Sequence, residues 1–128
     1  MKKFTFSLEK ILKLRSHAEN DAKIELGRAV SALSRIENGL EAVAAAQKSA
    51  GEERFSEGNS LSRALDYENY LQRLDAEKER LLQEAAAAEL AVERSREAWL
   101  DARAGLKALE NLKNRKFAAY RKENGKAQ

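Results

Sequence analysis

Apolar residues recur at alternating intervals of three and four positions along two stretches of the chain. The first stretch carries seven of them: Ala22, Leu26, Ala29, Leu33, Ile36, Leu40 and Val43. The second stretch has thirteen positions at this spacing: Tyr67, Leu71, Leu74, Lys78, Leu81, Ala85, Ala88, Val92, Ser95, Trp99, Ala102, Leu106 and Leu109. A hydrophobic period of 3.5 residues, sustained over several heptads, is typical of helices that pair as a coiled coil. These positions, called the seam below, predict two long helices that pack against each other.

A short segment rich in glycine and polar residues separates the two stretches. Gly51, Gly58, Asn59 and Ser60 lie within ten residues, a pattern typical of a helix end, a turn and a new helix start. We expect Gly51 to follow the first helix in the left-handed conformation, and Asn59 or Ser60 to cap the second. The predicted fold is all-α, a long two-helix antiparallel coiled-coil hairpin with the longer helix second. The predicted layout is one domain over 1–128, with helices at about 7–50 and 61–122, a turn at 51–60 and a frayed tail at 123–128.

The register of the hairpin is predicted from which polar residues each alignment buries. In one alignment, the residue numbers of facing positions on the two helices add to 114. Leu33 then lies opposite Leu81, and the guanidinium of Arg15 lies over the ring of Trp99. Shifting one helix by a heptad, so that the facing residue numbers add to 107, would bury both Arg15 and Glu19 against apolar residues. The alignment at 114 is therefore the preferred one.

Composition excludes several function classes. The 128 residues contain no proline and no cysteine, and one histidine. Without cysteine there is no disulfide framework and no thiolate nucleophile, and one histidine cannot build a histidine-based zinc site. No apolar run approaches the ~20 residues that span a bilayer, and the N-terminus lacks the apolar core of a secretory signal. A two-helix hairpin also builds no cleft where polar groups converge, so we expect no enzyme activity, no cofactor and no metal.

Charge is unevenly distributed although the net charge is only +3. Residues 1–15 carry +4 and residues 103–128 carry +6, which leaves −7 for residues 16–102. Because a hairpin brings its termini together, one end should be strongly basic. In the preferred register the last 15–18 residues extend past the first helix, and two interpretations remain open. Either this tail is solvated and frayed, or its basic residues enter an acidic partner together with Phe117 and Tyr120.

Five large apolar residues fall outside the seam, where a two-helix structure exposes them to solvent: Leu14, Ile24, Leu65, Leu90 and Leu100. Single exposed leucines are common, but several on one thin hairpin favour contact with other proteins. Tyr70 lies beside the seam close to Leu65, so the start of the second helix is a candidate contact surface.

Three segments resemble the flagellar export protein FliJ family. The opening Phe4–Arg15 (FTFSLEKILKLR) is similar to the family pattern F-x-F-x-L-E-x-(hydrophobic)-L-x-L-R. The segments Asp66–Leu74 (DYENYLQRL) and Ala98–Arg115 also resemble that family, so the likeness covers essentially the whole chain. It implies a small cytoplasmic, non-enzymatic component of the bacterial flagellar type III export apparatus, peripheral at the inner membrane, with roles in flagellum biogenesis, motility and chemotaxis.

The resemblance also implies partners. Such proteins are similar to the rotor stalk of rotary ATPases: their terminal end enters the hexameric export ATPase and promotes its assembly and activity. They also bind export chaperones and link the ATPase to the membrane export gate. The implied gate contact is an aromatic residue and the residues four, seven and eleven positions later, which here are Tyr70, Leu74, Glu77 and Leu81. Glu77 replaces the small residue of the family pattern.

The candidate ATPase contact is the basic end of the hairpin. Its members are Lys2, Lys3, Lys10, Lys13, Lys113, Arg115, Lys116, Phe117, Tyr120, Arg121 and Lys122. Two alternatives stay open: a basic coiled coil that binds nucleic acid, and a structural coiled coil that self-associates through its exposed leucines. We expect no nucleic-acid binding, since few aromatic residues are available to stack on bases and no base-reading motif is present. We also expect no direct insertion into a membrane.

Overall fold

The computed structural model describes residues 3–56, 58 and 60–127, with the side chains of 126 and 127 left out. Two helices make up the fold: α1, Glu9–Glu53, and α2, Leu61–Ala127. They pack against each other as a hairpin, and the described residues form no strand. The predicted all-α hairpin with a longer second helix is confirmed. Neither helix has, within its described residues, a segment long and apolar enough to cross a membrane.

The turn between the helices differs from the prediction at its first glycine. Gly51 lies inside α1, and Gly58 is the residue with a left-handed backbone, at φ 86°. The ~1 kcal/mol cost of a helical glycine is offset here because the neighbouring Ala50 is buried against the rest of the hairpin. At the start of α2, the Oγ of Ser60 accepts a hydrogen bond from the backbone N–H of Arg63 at 3.2 Å, which confirms Ser60 as the N-cap. Asn59, the other candidate cap, lies outside the described residues.

At its far end α2 continues to Ala127, past residue 122 where the sequence predicted a frayed tail. This end contains no proline and many residues of high helix propensity, and its aromatic residues find partners within the chain, as described below.

Contacts within the chain divide it into two units, and both helices pass through each. Unit 1 comprises residues 1–27 and 93–128, and unit 2 comprises residues 28–92. Unit 2 holds most of the buried apolar residues: Val43, Ala50, Leu81, Ala85 and Val92. Unit 1 holds Phe6, which is only 6% exposed although it precedes α1. The single domain over 1–128 stays a prediction.

The predicted seam faces inward along both helices. All seven seam residues of α1 are buried or half-buried, and so are twelve of the thirteen in α2. The exception is Lys78, whose side chain is exposed. A 3.5-residue pattern therefore located the packed face of both helices correctly.

The predicted register is wrong. In unit 2 the Nε2 of Gln47 donates to Asp75, and Gly39 faces the methyl groups of Leu81. In unit 1 the corresponding pairs are Glu19 with Trp99, Arg15 with Gly105, and Glu9 with Lys113. The numbers of these five pairs add to between 118 and 122, about one heptad above the predicted 114. Because a seam repeats every seven residues, apolar matching alone cannot separate registers one heptad apart.

Candidate functional site

The basic end lies in unit 1, where the chain's N-terminal segment packs against α2. Residues 3–8 precede α1 and are called the strap below. The ring centroid of Phe4 lies 5.1 Å from that of Phe117, edge to face, and 5.4 Å from that of Tyr120. Phe117 and Tyr120 are 6.3 Å apart. Such distances are typical of favourable aromatic contacts. These three rings are called the aromatic clasp.

The strap is also held at its junction with α1. The carbonyl oxygen of Phe6 accepts a hydrogen bond from the backbone N–H of Glu9 at 3.1 Å, and the Phe6 ring is buried. The carboxylate of Glu9 pairs with the Nζ of Lys113 at 2.9 Å. An acidic residue in the first turn of a helix also interacts favourably with the helix dipole. The first turn of α1 is therefore tied to α2 on the same side as the clasp.

The clasp corrects the expectation that the end of α2 lacks partners within the chain. The predicted register placed Phe4 opposite Glu110 and left the last 15–18 residues without intramolecular contacts. In the observed register Phe4 lies one heptad or more further along α2, beside the two aromatic residues. Phe117 remains 41% exposed and Tyr120 is half-buried.

Most of the predicted cationic residues are exposed at this end. The exposed members are Lys3, Lys10, Lys13, Arg115, Lys116, Arg121 and Lys122. Lys113 is half-buried in its pair with Glu9, and the guanidinium of Arg121 lies 5.9 Å from the ring centroid of Phe117. Lys2 is outside the described residues. The structure thus presents a positively charged surface whose aromatic residues contact one another and the strap.

A polar cluster lies next to this end, around the single tryptophan. The Nε1 of Trp99 donates a hydrogen bond to the carboxylate of Glu19 at 2.9 Å. The guanidinium carbon of Arg103 lies 5.3 Å from the Trp99 ring, so Arg103 makes the cation–π contact predicted for Arg15. The Arg15 side chain instead lies against Gly105, where an added Cβ would come within 2.5 Å of Nη1.

The four predicted gate residues lie in unit 2 and differ in accessibility. Tyr70 is 39% exposed, Leu74 and Glu77 are half-buried, and Leu81 is 8% exposed. Arg80 donates a hydrogen bond from Nε to Glu77 at 3.0 Å, and this bond lowers the pKa of the Glu77 carboxyl. Tyr70 is therefore the most accessible of the four, while Leu81 belongs to the packed seam.

The turn end of unit 2 carries apolar surface that the sequence analysis did not single out. Phe55 is 76% exposed and Leu61 77%, beside the predicted Leu65 at 56%. The hydroxyl of Tyr67 donates to the Glu53 carboxylate at 3.1 Å, which raises the pKa of Tyr67. Adjacent to this bond is an open depression lined by Arg63, Asp66, Tyr67 and Tyr70. The sequence signal for the exposure of Phe55 was its position between Gly51 and Gly58, because a side chain in a turn is usually little buried.

The five off-seam apolar residues are all exposed, as predicted. Their exposed fractions run from 46% for Ile24 to 68% for Leu14, with Leu65, Leu90 and Leu100 between. The described residues contain no group of three or more His, Asp or Glu side chains placed to hold a metal ion. What this arrangement offers is contact surface, charged at one end and apolar at scattered points along the helices.

Comparison with known proteins agrees with this architecture. No curated protein and no solved structure matches the chain. A family model described as "Flagellar FliJ protein" matches residues 4–127, from the first ring of the clasp almost to the end of α2. Since this match covers nearly the whole chain, the chain belongs to the flagellar FliJ protein family.

Proposed function

We propose that this chain is a stalk-like adaptor of the flagellar export apparatus. Its family makes it a non-catalytic component of flagellar export. In the proposed role, its basic end enters the hexameric export ATPase and promotes the assembly and activity of that ring. Unit 2 contacts the cytoplasmic domain of the membrane export gate, and the exposed apolar residues along the helices receive export chaperones. The chain would then work in the cytoplasm, peripheral to the inner membrane.

The single observation that carries this proposal is the charge contrast between the two units. Unit 1 contains 16 basic and 9 acidic residues, a net charge of +7, whereas unit 2 contains 8 basic and 12 acidic residues, a net charge of −4. Concentrated positive charge favours an acidic partner through faster, salt-sensitive association. The end that we propose to enter the ring is the end that carries this charge.

The clasp changes which side chains would contact the ring. Phe117 and Tyr120 already contact Phe4, so the first encounter falls to the exposed cations on α2, such as Arg115, Lys116 and Lys122. The proposed contact is therefore mainly electrostatic.

Co-purification with the export ATPase tests the ring contact. A chain ending at Leu112 should lose the ATPase, whereas a chain ending at Glu123 keeps the exposed cations of α2 and should retain it. Stimulation of ATP hydrolysis should follow the same order. No effect on the ATPase, together with tight binding of DNA or RNA at physiological salt, would instead favour the nucleic-acid-binding alternative.

Gate binding tests the second contact. Tyr70→Ala should weaken binding to the cytoplasmic domain of the gate while leaving thermal unfolding unchanged, because Tyr70 is exposed. Leu81→Ala should act mainly through stability, with a cost of about 2–4 kcal/mol, since Leu81 is buried in the seam. Leu82→Ala is the matched control, because this neighbouring leucine is 43% exposed. Normal gate binding by Tyr70→Ala would remove Tyr70 from the contact.

A further inference from the structure

We propose that the strap is part of the partner-binding end: it holds the last turns of α2 helical and turns their cations toward an acidic protein surface. This inference rests on the proposed function, and it adds a positioning role for Phe4, whose ring contacts Phe117 and Tyr120. The observations behind it are the clasp, the burial of Phe6 and the point at which α1 begins.

The first step concerns what supports the end of α2. Glu9 is the first residue of α1 and pairs with Lys113, so the turns of α2 after Lys113 run past the start of α1. The strap lies against these turns through Phe4, which contacts both Phe117 and Tyr120. A helix end without tertiary contacts frays, because hydrogen bonding alone stabilises each added residue only weakly. The strap therefore supplies packing that opposes fraying of this segment.

The second step concerns direction around α2. Lys113, Phe117 and Tyr120 follow one another at intervals of four and three, so they share one face of the helix. At 3.6 residues per turn, Arg115 and Lys122 lie on the opposite face, and both are exposed. Fixing the aromatic face against the strap thus fixes the cationic face outward.

The third step concerns the partner. Carboxylate-bearing surfaces recognise arrays of Arg and Lys, and they bind best when the cations are already held in place, because less side-chain and backbone freedom is then lost. The strap adds Lys3 to the same end, with an exposed side chain. An acidic protein surface, as proposed for the ATPase ring, matches this chemistry.

Hydrogen exchange in the full-length chain tests whether the strap holds the end of α2 helical. Phe4→Ala should speed amide exchange across residues 113–123 by about tenfold or more, because the clasp loses its central ring. Phe4→Tyr keeps the ring and should leave exchange unchanged. Phe55→Ala is the matched control, since it removes a phenylalanine that is 76% exposed at the turn. Equal exchange in the wild type and Phe4→Ala would overturn the proposal.

Affinity for the isolated export ATPase tests whether the strap presents the cations of α2 to an acidic partner. Phe4→Ala should bind about fivefold to tenfold more weakly at low salt, while Phe4→Tyr and Phe55→Ala bind like the wild type. Tighter binding by Phe4→Ala would overturn the proposal, because it would mean that the strap covers the contact rather than presenting it. If the wild type itself does not bind the ATPase, the proposed function fails. The exchange measurement then still decides whether the strap holds the tail.

Discussion

Single side chains that cross between the helices carry much of the specificity in unit 1. Trp99 is half-buried in the seam, and its indole N–H has an acceptor in the Glu19 carboxylate. Glu19 is likewise half-buried although it is charged. A hydrogen bond to a charged group in such a site stabilises the fold and penalises alignments that leave the indole unpaired.

Replacing Glu19 tests this hydrogen bond. Glu19→Ala should lower the free energy of unfolding by about 1 kcal/mol, because the indole N–H loses its acceptor. Glu19→Gln keeps an acceptor oxygen and should cost less. Thermal unfolding measures both, and fluorescence of the only tryptophan reports the local change. Equal stability of the two variants would contradict the role given to the bond.

Two helical glycines differ in what surrounds them. An added Cβ at Gly27 meets no atom within 4 Å, so Gly27→Ala should stabilise the chain by about 1 kcal/mol through helix propensity alone. At Gly105 the added Cβ displaces the end of the Arg15 side chain, so Gly105→Ala should gain less. The double variant Gly105→Ala with Arg15→Ala should regain the stabilisation that Gly105→Ala alone lacks relative to Gly27→Ala. Chemical denaturation of the three variants checks this order, and a larger gain at Gly105 than at Gly27 would contradict it.

At the scale of the helices, the main difference between prediction and structure is the register, the alignment of α1 along α2. The observed pairs in both units differ from the predicted alignment by about one heptad, while the same seam residues face inward. The polar contacts distinguish the two alignments. Gln47 with Asp75 and Glu9 with Lys113 exist only in the observed one. Both helices also end later than predicted, since packing outweighs local helix-breaking signals such as Gly51.

Cysteine cross-linking tests the register cleanly because the chain has no native cysteine. Gly39→Cys with Leu81→Cys should form a disulfide on mild oxidation, since these positions face each other. Leu33→Cys with Leu81→Cys, the pair of the predicted register, should not. Residue 33 lies about 9 Å along the helix from residue 39, at 1.5 Å per residue. Faster cross-linking of the second pair would restore the predicted register.

An ion cluster on the outer surface of α2 should make helix stability depend on pH. Arg80 contacts Glu77 and also Glu84, at 2.5 Å. The hydrogen bond from Arg80 lowers the pKa of Glu77 in the folded state. The contribution of this hydrogen bond to the free energy of unfolding is therefore present above the ordinary carboxyl pKa, and it is lost as the pH falls through the lowered pKa of Glu77. Arg80→Ala should melt below the wild type at pH 7, and this difference should shrink as the pH falls below the ordinary carboxyl pKa, with Glu77→Gln behaving alike. A constant difference in melting temperature across this range would contradict the assignment.

For the whole molecule, charge is sorted by unit: +7 in unit 1 and −4 in unit 2. The prolines and cysteines that often shape small domains are missing, and few side chains among the described residues are fully covered. A two-helix hairpin keeps much of its surface in contact with solvent, so its function depends on the chemistry of that surface.

Charge reversal at matched sites tests whether location or total charge matters. Arg115→Glu with Lys122→Glu in unit 1 should weaken binding to the export ATPase by about tenfold or more at low salt. Arg35→Glu with Lys48→Glu in unit 2 changes the net charge by the same amount at exposed positions and should have little effect. Added salt should narrow the gap, because screening weakens exposed charges. Equal losses from both double variants would show that only the net charge matters.

The sequence by itself determined the features that depend on local periodicity. The 3.5-residue pattern identified both helices and their packed faces, and the same pattern marked Leu14, Ile24 and the other off-seam residues as exposed. The cap at Ser60 followed from its own hydroxyl and the backbone three residues later. The opening Phe-x-Phe segment carried the family resemblance, and the family match agrees with it.

Tertiary structure alone decided the register and the aromatic clasp. A repeating seam offers nearly the same apolar contacts every seven residues, so the choice fell to a few long-range polar contacts such as Glu19 with Trp99. The clasp joins Phe4 to residues more than a hundred positions away, and no local pattern records that pairing. Both features arise from side chains that meet only after the helices have docked. The stability of the docked helices is the sum of many weak contacts along the seam.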